Sequence, residues 1–335
     1  MALNDKQRVE LFRTLVRAMA LDRMMMRLIR AGRLVGFYHE GGIALAPGVA
    51  AGFFLAKDDI MCPHYRAHGV AHMLSKGVDV KPYIAEHLGR TGGCCKGRSS
   101  FHASFPAHHI FGSSGNIGAN FPVSVGYGFA AKQKSLGQIV MNCSGDGSYG
   151  SGRAHEALLM CANWKLPVIF WCEANGMAQH SSMDKLFPTP NISSLAAGYG
   201  IPSQIVDGQD LYACADAAQL AIAHVREGNG PIFVECKTLR AQEHSVGGVN
   251  YAGKTPRDPD LMRRWKDERN PETLAAAALV RQGLLAQKDV DDMRGAAESE
   301  TDEIERYCER QPKALPPIEE LLAAVYAQEP GAMAS

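Results

Sequence analysis

No stretch of this chain is apolar for long enough to cross a bilayer, so the sequence excludes an α-helical membrane protein. Neither sign of charge is in excess: 35 Lys and Arg stand against 35 Asp and Glu. The electrostatic footprint of a nucleic-acid or anionic-membrane binder is therefore missing. The 9 cysteines are scattered, and the adjacent pair Cys94-Cys95 has the spacing of neither a zinc knuckle nor a CxxC redox motif. An odd number of thiols, several inside apolar runs, reads as small buried hydrophobes in a reduced chain. Residues 1–30 lack the uninterrupted apolar core of a signal peptide and are too acidic for an organelle-targeting segment, so the cytoplasm is the expected compartment. No repeat, linker or second catalytic domain interrupts the 335 residues. Their 46% hydrophobic and 21% charged content is that of an ordinary globular enzyme with a substantial core.

What is present is organised around residues 138–177. Residues 138–143 form a short apolar run fit for a buried strand, followed by Ser144-Gly145-Asp146-Gly147. A helical pattern follows (Ala154, Ala157, Leu158, Cys161, Trp164), then a second buried run over 167–172 ending at Glu173-Ala174-Asn175-Gly176. Both runs are too apolar to have a wet face, as parallel strands are. A short right-handed crossover would set the two strand ends side by side, at the edge of the sheet where ligands bind. Asp146 and Asn175, 175 − 146 = 29 residues apart, then meet at that edge. A carboxylate, an amide and a nearby backbone carbonyl are hard oxygen ligands, suited to Mg²⁺ or Ca²⁺ shared with a phosphate. The flanking glycines let backbone approach, and a helix start offers N–H groups to an anion. Gly145-Asp146-Gly147-Ser148-Tyr149-Gly150 also matches G-x-G-x-x-G, with Glu173 lying 173 − 150 = 23 residues on, as in a dinucleotide fold. Asp146 would repel a pyrophosphate in that turn unless a cation stood between them, which favours a metal-bridged diphosphate.

The Gly145-Asp146-Gly147 … Asn175 pair resembles the thiamine-diphosphate motif. Residues 156–167, from Glu156-Ala157 to Trp164-Lys165-Leu166-Pro167, are similar to the alpha subunit of the two-gene, decarboxylating 2-oxo acid dehydrogenases, a family of pyruvate, branched-chain and acetoin enzymes. Further matching segments recur in the family's order from about Gly36 to the C-terminus. The resemblance implies an α/β thiamine-diphosphate-binding fold: a mainly parallel sheet flanked by helices, in one domain over 1–335. That domain would carry an N-terminal helix over 5–32 and a C-terminal helical segment over 258–327. It implies thiamine diphosphate and Mg²⁺ as cofactors, the metal held by Asp146, Asn175 and the backbone carbonyl of Met177, with Gly147 and Ser148 beside the diphosphate. Tyr65 and Arg66, in Pro63-His64-Tyr65-Arg66-Ala67-His68-Gly69, match a segment that grips the diphosphate, for which a planar guanidinium is apt. The backbone of Gly115 and Ile117 would meet the aminopyrimidine, and His102 would approach the site. Phe37 and His39 match active-site positions. Arg240 and His244 match a loop arginine and a catalytic histidine, His244 also lying against the cofactor.

Departures from the family pattern are the small apolar residues Ala44-Leu45-Ala46, Gly150, Ala174, and Glu243 in place of a glycine before His244. In the family the glutamate that activates the cofactor comes from a beta subunit, so an α₂β₂ assembly is implied, with a small carbonyl substrate and a lipoyl acyltransferase as acceptor. A two-gene ketolase, transketolase or acyloin-forming enzyme on the same fold is the alternative, and a cofactor-holding homologue without activity a third.

Overall fold

The computed structural model describes residues 3–34, 36–247 and 258–325. Positions 248–250 of the loop following His244, and the end of the last expected helix beyond residue 325, lie outside them.

Helix α1 (Asp5–Arg30) opens on a capping box in which Asn4 Oδ1 accepts from Gln7 N at 2.9 Å and Gln7 Oε1 from Asn4 N at 3.0 Å. It stops two residues before the expected end, where Gly32 turns left-handed at φ +67°. Its apolar stripe is buried, Met24, Met25 and Met26 included. The chain then runs through β1 (Phe37–Tyr38), α2 (Ala46–Phe53), β2 (Ile60–Cys62), α3 (Val70–Ser75), α4 (Val80–His87) and α5 (Asn120–Gln133). The organising unit follows as β3 (Val140–Gly145), α6 (Gly152–Trp164) and β4 (Val168–Ala174). Next come β5 (Met177–Ala178), β6 (Ser181–Ser182), α7 (Ser193–Ala197), β7 (Ser203–Asp207), α8 (Leu211–Arg226), β8 (Ile232–Lys237) and β9 (Val246–Gly247). Helices α9 (Pro259–Glu268), α10 (Pro271–Arg281), α11 (Gln287–Arg310) and α12 (Ile318–Ala323) close the described chain. A break separates α10 from α11 within the expected C-terminal helical segment. Gly283 at φ +71° ends one helix, and Asp289 Oδ2 accepts from Ala286 N at 2.7 Å to start the next.

Five strands form a wholly parallel sheet in the order β2-β3-β4-β8-β7. Strands β3 and β4 both run two residues further than the apolar runs predict, so Gly145 and Glu173 are their last paired residues across the ladder. Side chains alternate between two cores, as the strand period requires. Met61, Met141, Cys143, Ile169, Trp171, Val234 and Cys236 face the larger core shared with α1, α2 and α8. Cys62, Val140, Val168, Phe170, Cys172 and Phe233 face a smaller one under α5 and α6. All seven residues of β4 are buried, which explains the missing wet face.

Asp22 is the buried charge on α1. Three positions after Met19 and three before Met25, it sits on the buried stripe at 3% exposure. Its carboxylate accepts from Tyr38 Oη at 2.8 Å, Gly41 N at 2.9 Å and Gly42 N at 2.8 Å, and so ties the segment after β1 to the helix. Burial pushes the Asp22 carboxyl up, against those three donors. Asp22→Ala leaves all three donors without an acceptor, and chemical denaturation is expected to read a loss of about 3 kcal/mol.

Candidate active site

Ligand sites of open parallel sheets lie beyond the carboxyl ends of the strands, and here four of those ends converge. The loop after β2 delivers His64, Tyr65 and Arg66; the turn after β3 delivers Asp146, Gly147 and Ser148. The turn after β4 delivers Asn175, Met177 and Gln179, and the loop after β8 delivers Thr238, Arg240 and His244. Together with Phe37, His39, Phe101, Gly115 and Ile117 they line one cavity of about 650 Å³, the size range of a drug-sized ligand's pocket. Every residue singled out in the sequence for catalysis, cofactor or metal lies on that wall. His102 stands behind it, where its Nε2 accepts from Gly115 N at 3.2 Å and so shapes the Gly115–Ile117 turn.

Strand β3 ends in a single 3₁₀ turn over Asp146–Gly150 before α6 begins. Asp146, 2% exposed, is held by one backbone donor per oxygen: Gly147 N to Oδ1 at 3.0 Å and Gly176 N to Oδ2 at 2.7 Å. A Cβ on Gly147 would come within 2.6 Å of Ala178 Cβ, so only glycine lets the two turns close on each other. Gly176 adopts φ +81°, which turns its N–H back toward Asp146. Asn175 Oδ1 accepts from Met177 N at 3.1 Å and keeps a second lone pair. Burial raises the Asp146 carboxyl to about 6, with the two N–H donors and Arg240 pulling the other way. A buried carboxylate destabilised in this way beside an amide oxygen fits a divalent cation, whose charge would relieve it.

The opposite wall is cationic and aromatic. Arg66 Nη1 donates to Glu40 O at 3.2 Å and to His244 O at 2.9 Å, and Arg240 Nη2 to Gln179 O at 2.5 Å. Both guanidinium groups approach His244 Nδ1, at 3.5 and 3.4 Å, which makes that nitrogen the acceptor and leaves the proton on Nε2. Burial, then Arg66 and Arg240, lower His244 to about 3. His39, packed edge-on against Phe37 and His244, is lowered to about 2, chiefly by burial. At neutral pH both imidazoles are therefore uncharged, able to donate or accept a proton without first shedding one.

Arg66 opens a strained turn. Ala67, His68 and Gly69 all take left-handed φ values of 47, 48 and 76°, and the two non-glycine residues cost about 1–2 kcal/mol each. Ala67 N donates to His39 O at 2.8 Å, and Tyr83 Oη donates to His68 O, so neighbouring elements hold the turn closed. Sequence reasoning did not single out His64, Phe101, Gln179 or Thr238 as site residues. His64 adjoins Tyr65 in the segment Pro63-His64-Tyr65-Arg66, and Phe101 adjoins His102, so both could have been found beside those residues; Gln179 and Thr238 carry no local signal.

Several known proteins align with this chain. A family model described as the dehydrogenase E1 component matches residues 13–316. The alpha subunit of the pyruvate dehydrogenase E1 component of Zymomonas mobilis is 36% identical over 241 residues, 71% of this chain and 67% of the relative. The alpha subunit of acetoin:2,6-dichlorophenolindophenol oxidoreductase of Cupriavidus necator is 33% identical over 298 residues, 88% of this chain and 86% of the relative. The chloroplastic alpha-3 subunit of the pyruvate dehydrogenase E1 component of rice is 29% identical over 347 residues, 98% of this chain and 78% of the relative.

Proposed function

The chain belongs to the dehydrogenase E1 component family, and from that premise we propose a division of labour for the cavity's residues. It is an alpha subunit of a thiamine-diphosphate enzyme acting on a 2-oxo acid or acetoin. The observation that carries the residue assignments is the convergence of Asp146, Asn175, Arg66 and His244 on one cavity from four strand ends. Asp146, Asn175 and the Met177 carbonyl would hold Mg²⁺, and Tyr65, Arg66, Gly147 and Ser148 the diphosphate. The backbone of Gly115 and Ile117 would meet the pyrimidine. Thiamine diphosphate, when bound, supplies a thiazolium carbon that adds to a carbonyl and takes up the electrons of the broken C–C bond. His39 and His244, neutral and flanked by Arg240, would orient the substrate carbonyl and pass a proton to or from the oxygen it becomes, beside the aromatic wall of Phe37 and Phe101.

Among the described residues lining the cavity, the only carboxylates are Asp146 and Glu173. The first is committed to the metal, and the second is engaged by His64 and His72 at 2.8 Å each. No acid remains to protonate the pyrimidine, which supports a beta subunit supplying it across an α₂β₂ interface. A lipoyl acyltransferase is the proposed acceptor and the cytoplasm the proposed compartment; among the described residues no helix is long and apolar enough to cross a membrane. The purified chain is expected to show little turnover of pyruvate or acetoin. Co-assembly with a beta subunit should raise the rate by about a hundredfold or more, the scale of a positioned general acid. Brisk turnover by the chain alone would overturn the two-chain reading.

A further inference from the structure

His64, His72 and Glu173 bring two imidazole nitrogens and a carboxylate within 4.8 Å of one another, a donor set a zinc-class cation would accept. The backbone of Arg66 decides against a metal. Its N–H donates to His64 Nδ1 at 2.9 Å, so in the neutral ring Nε2 carries the proton and has no lone pair for a cation. That Nε2 stands 2.8 Å from Glu173 Oε2, short but without the alignment of a full hydrogen bond. On the other side His72 Nε2 lies 2.8 Å from Glu173 Oε1, in hydrogen-bonding geometry. His72 and Glu173 are buried, and burial lowers His72, so its ring is neutral.

The chain of contacts runs from α3 through the tip of β4 to the loop after β2. Glu173 closes the β3–β4 ladder, two residues before Asn175. His64 precedes Arg66 by two and accepts its N–H in the manner of an Asx turn. The left-handed residues Ala67 and His68 follow at once, a backbone that will not hold its shape unaided. We propose that Glu173, braced by His72, is a positioning residue that fixes His64 and through it aims Arg66 at the diphosphate, keeping that limb of the cavity in register with the metal limb. This rests on the reading of Arg66 as a diphosphate ligand.

Glu173→Gln keeps the shape but can satisfy only one of the two imidazole N–H groups, because its amide nitrogen is itself a donor. Titration calorimetry of the full chain with thiamine diphosphate and Mg²⁺ is expected to show affinity roughly tenfold weaker than wild type. With the partner subunit, kcat at saturating cofactor should be kept while the cofactor KM rises. His64→Asn offers its own side-chain oxygen to Arg66 N, so adding Glu173→Gln to that variant should change the affinity by less than about twofold; a merely architectural Glu173 would gain nothing from it. Unchanged affinity in Glu173→Gln, or the same tenfold loss in the His64→Asn background, overturns the proposal. Should Glu173→Gln fail to fold, His64→Ala serves instead: it removes the acceptor and should show the tenfold loss, and unchanged affinity there overturns the proposal too. Arg66→Ala separates the two layers, since wild-type affinity in that variant would sink the diphosphate assignment itself.

Discussion

Asp146→Ala is expected to abolish magnesium-dependent uptake of thiamine diphosphate, with affinity falling by on the order of a hundredfold or more in titration calorimetry. Losing a partner that merely orients a metal ligand already costs about 10–100-fold, and a ligand itself costs more. Asp146 is the only carboxylate at the tips of β3 and β4 that is not engaged by histidines, so no neighbour replaces it. Asp146→Asn is the sharper control. It keeps an acceptor for one of the two backbone donors at Gly147 and Gly176 while removing the charge. It should therefore fold, and still fail to bind. An Asn variant within threefold of wild type would show that the carboxylate does not hold the cation.

Acid is expected to unfold the metal-free chain early, because it buries neutral imidazoles. His87, His244 and His39 are lowered to about 4, about 3 and about 2, and His68 and His72 also fall, burial being the main cause in each. Such a group is unprotonated in the folded chain while the unfolded chain takes up a proton near its ordinary value of 6.5. Below that pH the unfolded state binds more protons, so stability is lost as pH falls, for His87 from 6.5 down to about 4. One fully buried imidazole contributes a slope of about 1.4 kcal/mol per pH unit. The raised carboxyls Asp22, Glu40 and Asp146 act in the opposite sense. His87→Gln isolates the histidine part: urea unfolding at a series of pH values should show the slope between pH 6 and 4.5 reduced by about that amount. An unaltered slope would mean that His87 is not neutral in the fold.

The sheet and the meeting of Asp146 with Asn175 at its edge were legible because their signals are local. Two apolar runs, each ending at a glycine-flanked polar residue, identify β3 and β4, and the crossover rule makes them neighbours. The Arg66 and His244 walls were legible through motif resemblance. What stayed hidden is long-range or stereochemical. The contact of His72 with Glu173 spans 101 positions, and no periodicity links them. Asp22 was overlooked because one charge on a long apolar stripe does not break the helical pattern. Ala67 and His68 give no warning of left-handed backbone, since that conformation is imposed by Tyr83 and His39 rather than chosen by the residues themselves.

One of the two shortest ladders among the described residues has a consequence for the cavity's histidines. Strands β1 and β9 pair over only two residues, Phe37 with Gly247 and Tyr38 with Val246. That seam joins the segment bearing His39 to the segment bearing His244, while Asp22 staples the first to α1. The positions of the two histidines are therefore tied through backbone, so a substitution that breaks the β1–β9 pairing should loosen both at once.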